Sequence, residues 1–243
     1  MNKITLKKGK GFYWVPLLEK LGVRALFTSR VYDMGFEGTA IKKAYTGFGI
    51  NWKDLVGIAQ VHGDKVAQVG KNHRGNGLFD RSTAIQDTDA LFTDAAGLPI
   101  SILTADCLPV FLFDPKKKTG ALAHAGWRGV HQNIIPKTLK KMQKCFGTDV
   151  SDVVSVFGPA IGLCCYEVGE EFLKHFPSGL EERQGKLYFS LTKTAYHQLK
   201  DSGVKARNIH DVGICTSCMN HEFFSYRREG ELAGRSMSVL EIL

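Results

Sequence analysis

The sequence predicts an α/β domain with mixed β-sheets, and three observations carry that prediction. Short apolar runs of strand length recur between Gly, Pro and Asp, as in ALFTSR, PISILTAD, GALAHAG and DVVSVFGPAIG. Helical spacing appears between them, clearest where Val130, Ile134, Leu139 and Met142 alternate with lysines on the other faces. No internal repeat, low-complexity tract or linker divides the chain, so residues 1–243 are read as a single domain.

Taken in order, residues 1–10 read as an edge strand and 25–30 as a strand running into a loop. Residues 31–50, rich in Gly and aromatics, suit a loop with a short helix. Residues 54–70 alternate well enough for a hairpin or two strands, with His62, Gly63 and Asp64 at the turn. Residues 72–89 are polar and Gly-rich, hence a surface loop. Two apolar runs then place Cys107 and His124 at strand ends, joined past Asp114-Pro115 by a lysine-rich turn. A helix follows Gly129, and Pro136 inside it predicts a kink or break. Residues 152–162 read as a buried strand closing on a Gly-Pro turn, 167–176 as a short helix and 186–192 as a strand. The helix over 192–203 takes Thr192 or Thr194 as its N-cap and Gly203 as its stop. Residues 208–216 and the chain end supply further strands.

Composition bounds the function classes. Hydrophobic residues are 44% and charged residues 23%, an ordinary globular balance. No apolar run reaches the ~18–20 residues that span a bilayer, and the basic N-terminus lacks a leader's apolar segment; the expectation is a cytoplasmic protein without membrane contact. Net charge is +8, with lysine clusters near Lys3–Lys10, Lys116–Lys118 and Lys137–Lys144. These form either a solvated surface or an attraction for anions such as phosphate and nucleotides. No nucleic-acid-binding signature is present. Six cysteines in such a chain argue against a disulfide framework. Cys164-Cys165 and the Cys215/Cys218 C-x-x-C pair suggest a four-thiolate zinc site only weakly, because adjacent cysteines are awkward tetrahedral ligands and the usual site has two C-x-x-C pairs.

His62, Cys107 and His124 carry the chemistry. Alone, Cys107 reads as a small buried hydrophobe and His124 as a satisfied core histidine. Together, two imidazoles and one thiolate make the three-ligand pattern of a catalytic zinc, with a fourth position open to water or substrate. The rival is a Cys107 nucleophile with His124 as base and the Gly126–Gly129 turn as oxyanion hole. Arg30, Arg128, Arg227 and Arg228 fall in loops near strand ends and suit phosphate or carboxylate. Asp64, Asp89 and Asp106 could orient a histidine or act as general acid or base. Asp106 needs a bulge or turn to share a side with Cys107.

Five ordered motifs match one family: Gln60-Val61-His62-Gly63, Thr104 to Pro109 (TADCLP), His124 to Gly129 (HAGWRG), Gly158 to Gly162 (GPAIG) and Phe224 to Arg228 (FSYRR). Over nearly its whole length the chain resembles the YfiH/YlmD family, also described as polyphenol oxidase or laccase-domain proteins and including human FAMIN. The resemblance implies a single-domain α/β/β/α sandwich and a metal, zinc or possibly copper, held at positions that match His62, Cys107 and His124. It implies purine nucleosides and phosphate as partners, through phosphorolysis of adenosine, inosine and methylthioadenosine together with adenosine deamination. With the residues weighed above, the expected catalytic set is His62, Asp64, Asp106, Cys107 and His124, with Arg30, Arg128, Tyr226 and Arg227 binding substrate. Family members usually carry Gly-Gly-Val-Ser after the arginine that matches Arg30; Val-Tyr-Asp-Met stands here instead. A multicopper oxidase needs a histidine cluster that the eight scattered histidines do not offer. Two other readings stay open: a hydrolase editing peptidoglycan precursors, and a non-catalytic nucleotide- or anion-binding protein.

Overall fold

A computed structural model describes residues 1–35, 49–78, 80–176 and 178–243; the short helix expected within 31–50 falls largely outside them. The strands are β1 (Asn2–Lys3), β2 (Lys7–Gly9), β3 (Phe12–Trp14), β4 (Val23–Thr28), β5 (Val66–Gln68), β6 (Ala90–Thr93), β7 (Ile100–Thr104) and β8 (Leu108–Asp114). They continue as β9 (Thr119–Ala125), β10 (Val154–Phe157), β11 (Glu167–Val168), β12 (Leu180–Arg183), β13 (Lys186–Phe189), β14 (Ile209–Asp211) and β15 (Ser236–Ile242). The described helices are α1 (Pro16–Glu19), α2 (Trp127–His131), α3 (Ile134–Phe146), α4 (Glu171–His175), α5 (Leu191–Asp201) and α6 (Tyr226–Glu229).

Seven strands form a mixed sheet in the order β1-β14-β10-β8-β9-β6-β5, and five form an antiparallel sheet in the order β2-β3-β4-β15-β7. A small third sheet orders β11-β13-β12. Side chains alternate across a strand, and here that alternation sorts residues into layers. Leu108, Val110 and Leu112 of β8 and Ala121, Ala123 and Ala125 of β9 face α3 and α5, whose Ile134, Leu139, Met142, Ala195 and Leu199 complete that core. Phe111, Phe113 and Leu122 point the other way, against Ile100, Ile102, Leu240 and Phe27 of the five-stranded sheet. Gly120 of β9 faces Leu240 so closely that a Cβ there would lie 2.7 Å from Leu240 Cδ2. The outer face of the five-stranded sheet, with Phe12, Leu26, Met237 and Val239, is covered by Met34, Ile50 and Leu55. The layers follow the expected sandwich, and no helix among the described residues is long and apolar enough to cross a membrane.

Several local readings are corrected. Residues 54–70 make no hairpin: Val56 and Ile58 bridge to Ile100 and Ile85, while β5 pairs in parallel with β6. Pro136 does not break its helix. The break comes before it, where Asn133 takes a φ of 63°, and Pro136 sits in the first turn of α3, where its missing N–H leaves no bond unmade. Helix α5 is capped by Ser190, whose Oγ accepts the Lys193 N–H at 3.1 Å; Thr194 instead donates back to the Ser190 carbonyl at 3.0 Å.

The layer between the sheets holds the strands that position the site. Phe111→Ala, at a fully buried position of that layer, should lower unfolding free energy by about 3–5 kcal/mol. Urea denaturation followed by circular dichroism would check this.

Candidate metal centre

The site begins where the chain changes sheets. β7 ends at Thr104 in one sheet, β8 begins at Leu108 in the other, and Ala105, Asp106 and Cys107 make the crossing. Asp106 takes a φ of 86° there, which interrupts the strand and frees neighbouring side chains from strict alternation. Its carboxylate accepts from Thr216 Oγ1 at 2.6 Å, Ser225 Oγ at 3.1 Å and the Arg227 N–H at 2.7 Å. Asp106 thus gathers the loops from the chain's last quarter. Cys107 goes with His62 and His124 instead: the three ligand atoms lie within 4.8 Å of one another.

Asp89 holds both histidines. It is completely buried; its Oδ1 accepts His124 Nδ1 at 2.8 Å and the His62 N–H at 3.0 Å. Its Oδ2 accepts the Val61 N–H at 3.2 Å and the Gly63 N–H at 2.8 Å. Three consecutive N–H groups therefore wrap one carboxylate, and this fixes His62 at a φ of 58° that a non-glycine residue rarely takes. Gln60 pins the same turn, donating to the Leu103 carbonyl at 2.8 Å and accepting the Leu103 N–H at 2.7 Å. With Nδ1 committed to Asp89, His124 turns Nε2 toward Cys107. Burial works against the Asp89 carboxylate, yet the hydrogen bonds from His124 and Gly63 win and hold its pKa below the ordinary value.

Burial alone would push the Cys107 thiol up; the positive charge of His124, with hydrogen bonds from His124 and His62, brings it down to about 6. Burial likewise opposes charge on His124, but the Cys107 thiolate and Asp89 raise it to about 9. Without a metal the pair is a thiolate beside an imidazolium. The same donors, two imidazole nitrogens and one sulfur, are those of a catalytic zinc, and the orienting carboxylate is what such histidines carry. Room is kept by Gly126, where a Cβ would meet Cys107 Sγ at 2.9 Å and His62 Cδ2 at 3.4 Å. The residues present therefore fit a metal.

The other expected site residues divide. Arg227 stacks its guanidinium over Tyr166 at 5.2 Å and donates to the Glu167 carbonyl at 2.8 Å. Arg128 lies exposed over Trp127 at 4.6 Å. Tyr166 feels Cys107, Arg227, Asp106 and Arg128 together: burial raises its pKa first, then the negative charges of Cys107 and Asp106, against the two arginines. Asp64, by contrast, spends its carboxylate on Lys137. Arg30 pairs with Glu229 at 3.0 Å and with the Asn220 carbonyl, over the face of Phe224. Tyr226 turns its hydroxyl to Glu231 at 2.6 Å. Sequence reasoning missed Tyr166, whose one signal is an aromatic directly after the Cys164-Cys165 pair.

The pattern of the family described as multi-copper polyphenol oxidoreductase laccase matches residues 39–243. A purine nucleoside phosphorylase of Clostridium acetobutylicum is 36% identical over 197 residues, 78% of this chain and 78% of that protein. A protein named adenosine deaminase RL5, from an unknown prokaryotic organism, is 31% identical over 199 residues, 78% of this chain and 76% of its own. The crystal structure of Bacillus licheniformis YfiH superposes with a TM-score of 0.91 at 26% identity, covering 98% of this chain and 99% of that one.

Two outcomes follow from the Asp89 network. Asp89→Asn should weaken binding of an added divalent metal by roughly 10–100-fold in chelator competition, because the wrapped carboxylate and the His124 orientation go together. In the metal-free chain, alkylation of Cys107 by iodoacetamide should accelerate through a pH of about 6. His124→Ala should move that midpoint up toward the ordinary thiol range.

Proposed function

This chain belongs to the multi-copper polyphenol oxidoreductase laccase family, the family of YfiH and YlmD, and from that premise we propose that it is a metal-dependent purine nucleoside phosphorylase that also deaminates adenosine. The observation that carries the reading is the three-ligand centre of His62, Cys107 and His124, oriented by a buried Asp89 and flanked by Arg128, Arg227 and Tyr166. Zinc is the metal we assign to it, on the mixed nitrogen and sulfur donor set. When bound, it supplies a Lewis acid with one position open to water or substrate.

In phosphorolysis an oxygen of phosphate bonds to ribose C1′ as the C1′–N9 bond breaks, and the electron pair leaves with a purine that then takes up a proton. Arg128 and Arg227 would hold the dianion, since a guanidinium matches phosphate oxygens bidentately. The Tyr166 ring backs Arg227 and presents an aromatic face of a size to meet a purine. Asp106 acts by anchoring the Arg227 backbone, its carboxylate being filled by three donors. Asp89 keeps His124 in the tautomer with Nε2 free. In deamination a water adds at purine C6 and ammonia departs, and the same orientation serves. The excess of lysine and arginine over acidic residues favours association with anionic phosphate. We place the protein in the cytoplasm, where free thiols persist.

The laccase description fits the residues less well. Among the described residues, His, Cys, Asp and Glu side chains gather into only two clusters able to hold a metal, neither of them histidine-rich enough for a multicopper site. One observation favours a second reading: Cys107, His124 and Asp89 also stand as nucleophile, base and orienting carboxylate, which suits a cysteine hydrolase of peptide precursors.

Chromatography of adenosine and inosine, with and without phosphate, on protein of known zinc content separates the readings. Adenine and hypoxanthine should appear only with phosphate, and His62→Ala and Cys107→Ala should lose metal together with at least 10²-fold of the activity, the scale on which metal and acid–base groups act. Turnover that persists in metal-free protein and is abolished by iodoacetamide would transfer the assignment to the cysteine hydrolase.

A further inference from the structure

Four cysteines that the centre above does not use meet at a second place. Cys164 and Cys165 follow β10 on the 158–166 loop, and Cys215 and Cys218 lie on the turn beyond β14. Their sulfur atoms all lie within 4.8 Å of one another. Cys164 and Cys165 each stand 3.4 Å from Cys218, far beyond a disulfide's ~2.05 Å. Four sulfurs bound tetrahedrally at ~2.3 Å from one zinc lie about 3.8 Å apart, inside the observed spread.

The local backbone explains how adjacent cysteines both reach one point. In a strand they would diverge to opposite faces. Here the Cys165 and Tyr166 N–H groups both return to the Gly162 carbonyl at 3.0 Å, a turn that sets successive side chains only about 100° apart. Across from them the Met219 N–H bonds the Cys215 carbonyl at 3.0 Å, so Cys215 and Cys218 share one side of a helical turn. The two loops are stitched together by the Ala160–Cys215 bridge, with Ala160 N–H to Ile214 carbonyl at 3.2 Å and Thr216 N–H to Ala160 carbonyl at 3.0 Å. Gly162 donates its N–H to Cys215 Sγ at 3.2 Å, and a Cβ there would meet Cys164 Sγ at 3.2 Å and Cys215 Sγ at 3.4 Å. Space and an N–H donor are thus both reserved for sulfur.

We propose that Cys164, Cys165, Cys215 and Cys218 form a second, structural metal site that binds one zinc ion through four thiolates. Its coordination is closed, so it does no chemistry on substrate. It clips two loops whose other residues face the first centre: Tyr166 follows Cys165 directly, and Thr216, beside Cys215, donates to Asp106. The site is independent of which reaction the first centre performs.

The test is metal content with zinc X-ray absorption on the purified full chain. Wild-type protein should carry two zinc ions. His62→Ala, which removes a ligand of the first centre only, should keep one whose shell fits four sulfurs at about 2.3 Å and no nitrogen. Cys164→Ser/Cys218→Ser should lose that ion and melt at lower temperature. A His62→Ala protein without zinc, or one whose zinc shell contains nitrogen, would overturn the proposal. So would recovery of these four cysteines as disulfides, and none of these readouts depends on the serine variant folding.

Discussion

The buried carboxylate of Asp89 is the constraint on which the site depends. An uncompensated charge in a protein interior is severely unfavourable, and this one is satisfied by three backbone N–H groups and the His124 ring. The satisfaction is what makes the turn around His62: Val61, His62 and Gly63 can all aim their N–H groups inward only if His62 adopts a positive φ. One side chain at the start of β6 therefore places a histidine on a loop and fixes the ring of another on β9. The Asp89 backbone takes part as well, its carbonyl accepting the His124 N–H at 2.7 Å. Because its folded-state pKa is depressed, its contribution is present above the ordinary carboxylate range and fades as pH falls through the lowered value.

The second constraint is topological. Packing two sheets face to face requires the chain to leave one and enter the other, and β7 and β8 do so across three residues. That crossing breaks the period-two alternation, so Asp106 and Cys107 serve different neighbourhoods despite being adjacent. Asp106 ties the Thr216 and Ser225 hydroxyls and the Arg227 backbone into place, while Cys107 joins His62 and His124. Irregular backbone is tolerated here because the carboxylate's hydrogen bonds replace those of the lost strand.

What the sequence disclosed follows from the range of the interactions involved. Apolar runs of strand length located β7, β9 and β10, and Gly-flanked strand ends located Cys107 and His124, because both signals are local. Of the hairpin or two strands expected over 54–70, the hairpin fails because alternation cannot say which strand is the partner; Val66 to Gln68 pairs with residues 24 positions along the chain. The break before α3 depends on Asn133, not the conspicuous Pro136, and the α5 cap on Ser190 one position before the helix. Asp64, beside His62 in sequence, was an attractive orienting group, yet Lys137 on a distant helix claims it. Asp89, one of the three aspartates read as able to orient a histidine, performs that role from 27 residues away, a distance at which spacing could not choose among the three. The four cysteines failed as a sequence pattern for the same reason: adjacency disqualifies Cys164 and Cys165 only if the backbone is extended, and the turn at Gly162 is not.

The first centre also explains how a thiolate can wait for a metal without being wasted. A bare thiolate among apolar groups would draw a proton, but His124 supplies positive charge at the position where the ion would stand. The pair holds Cys107 ionised near neutrality and His124 protonated up to about 9. A metal held there at neutral pH would displace a proton chiefly from His124 and not from the cysteine, with Asp89 still bonded to the ring. Acid works against uptake by filling the ligand nitrogen, so affinity declines as pH falls. The buried aspartate thus accepts from the His124 ring whether or not the imidazole carries a second proton.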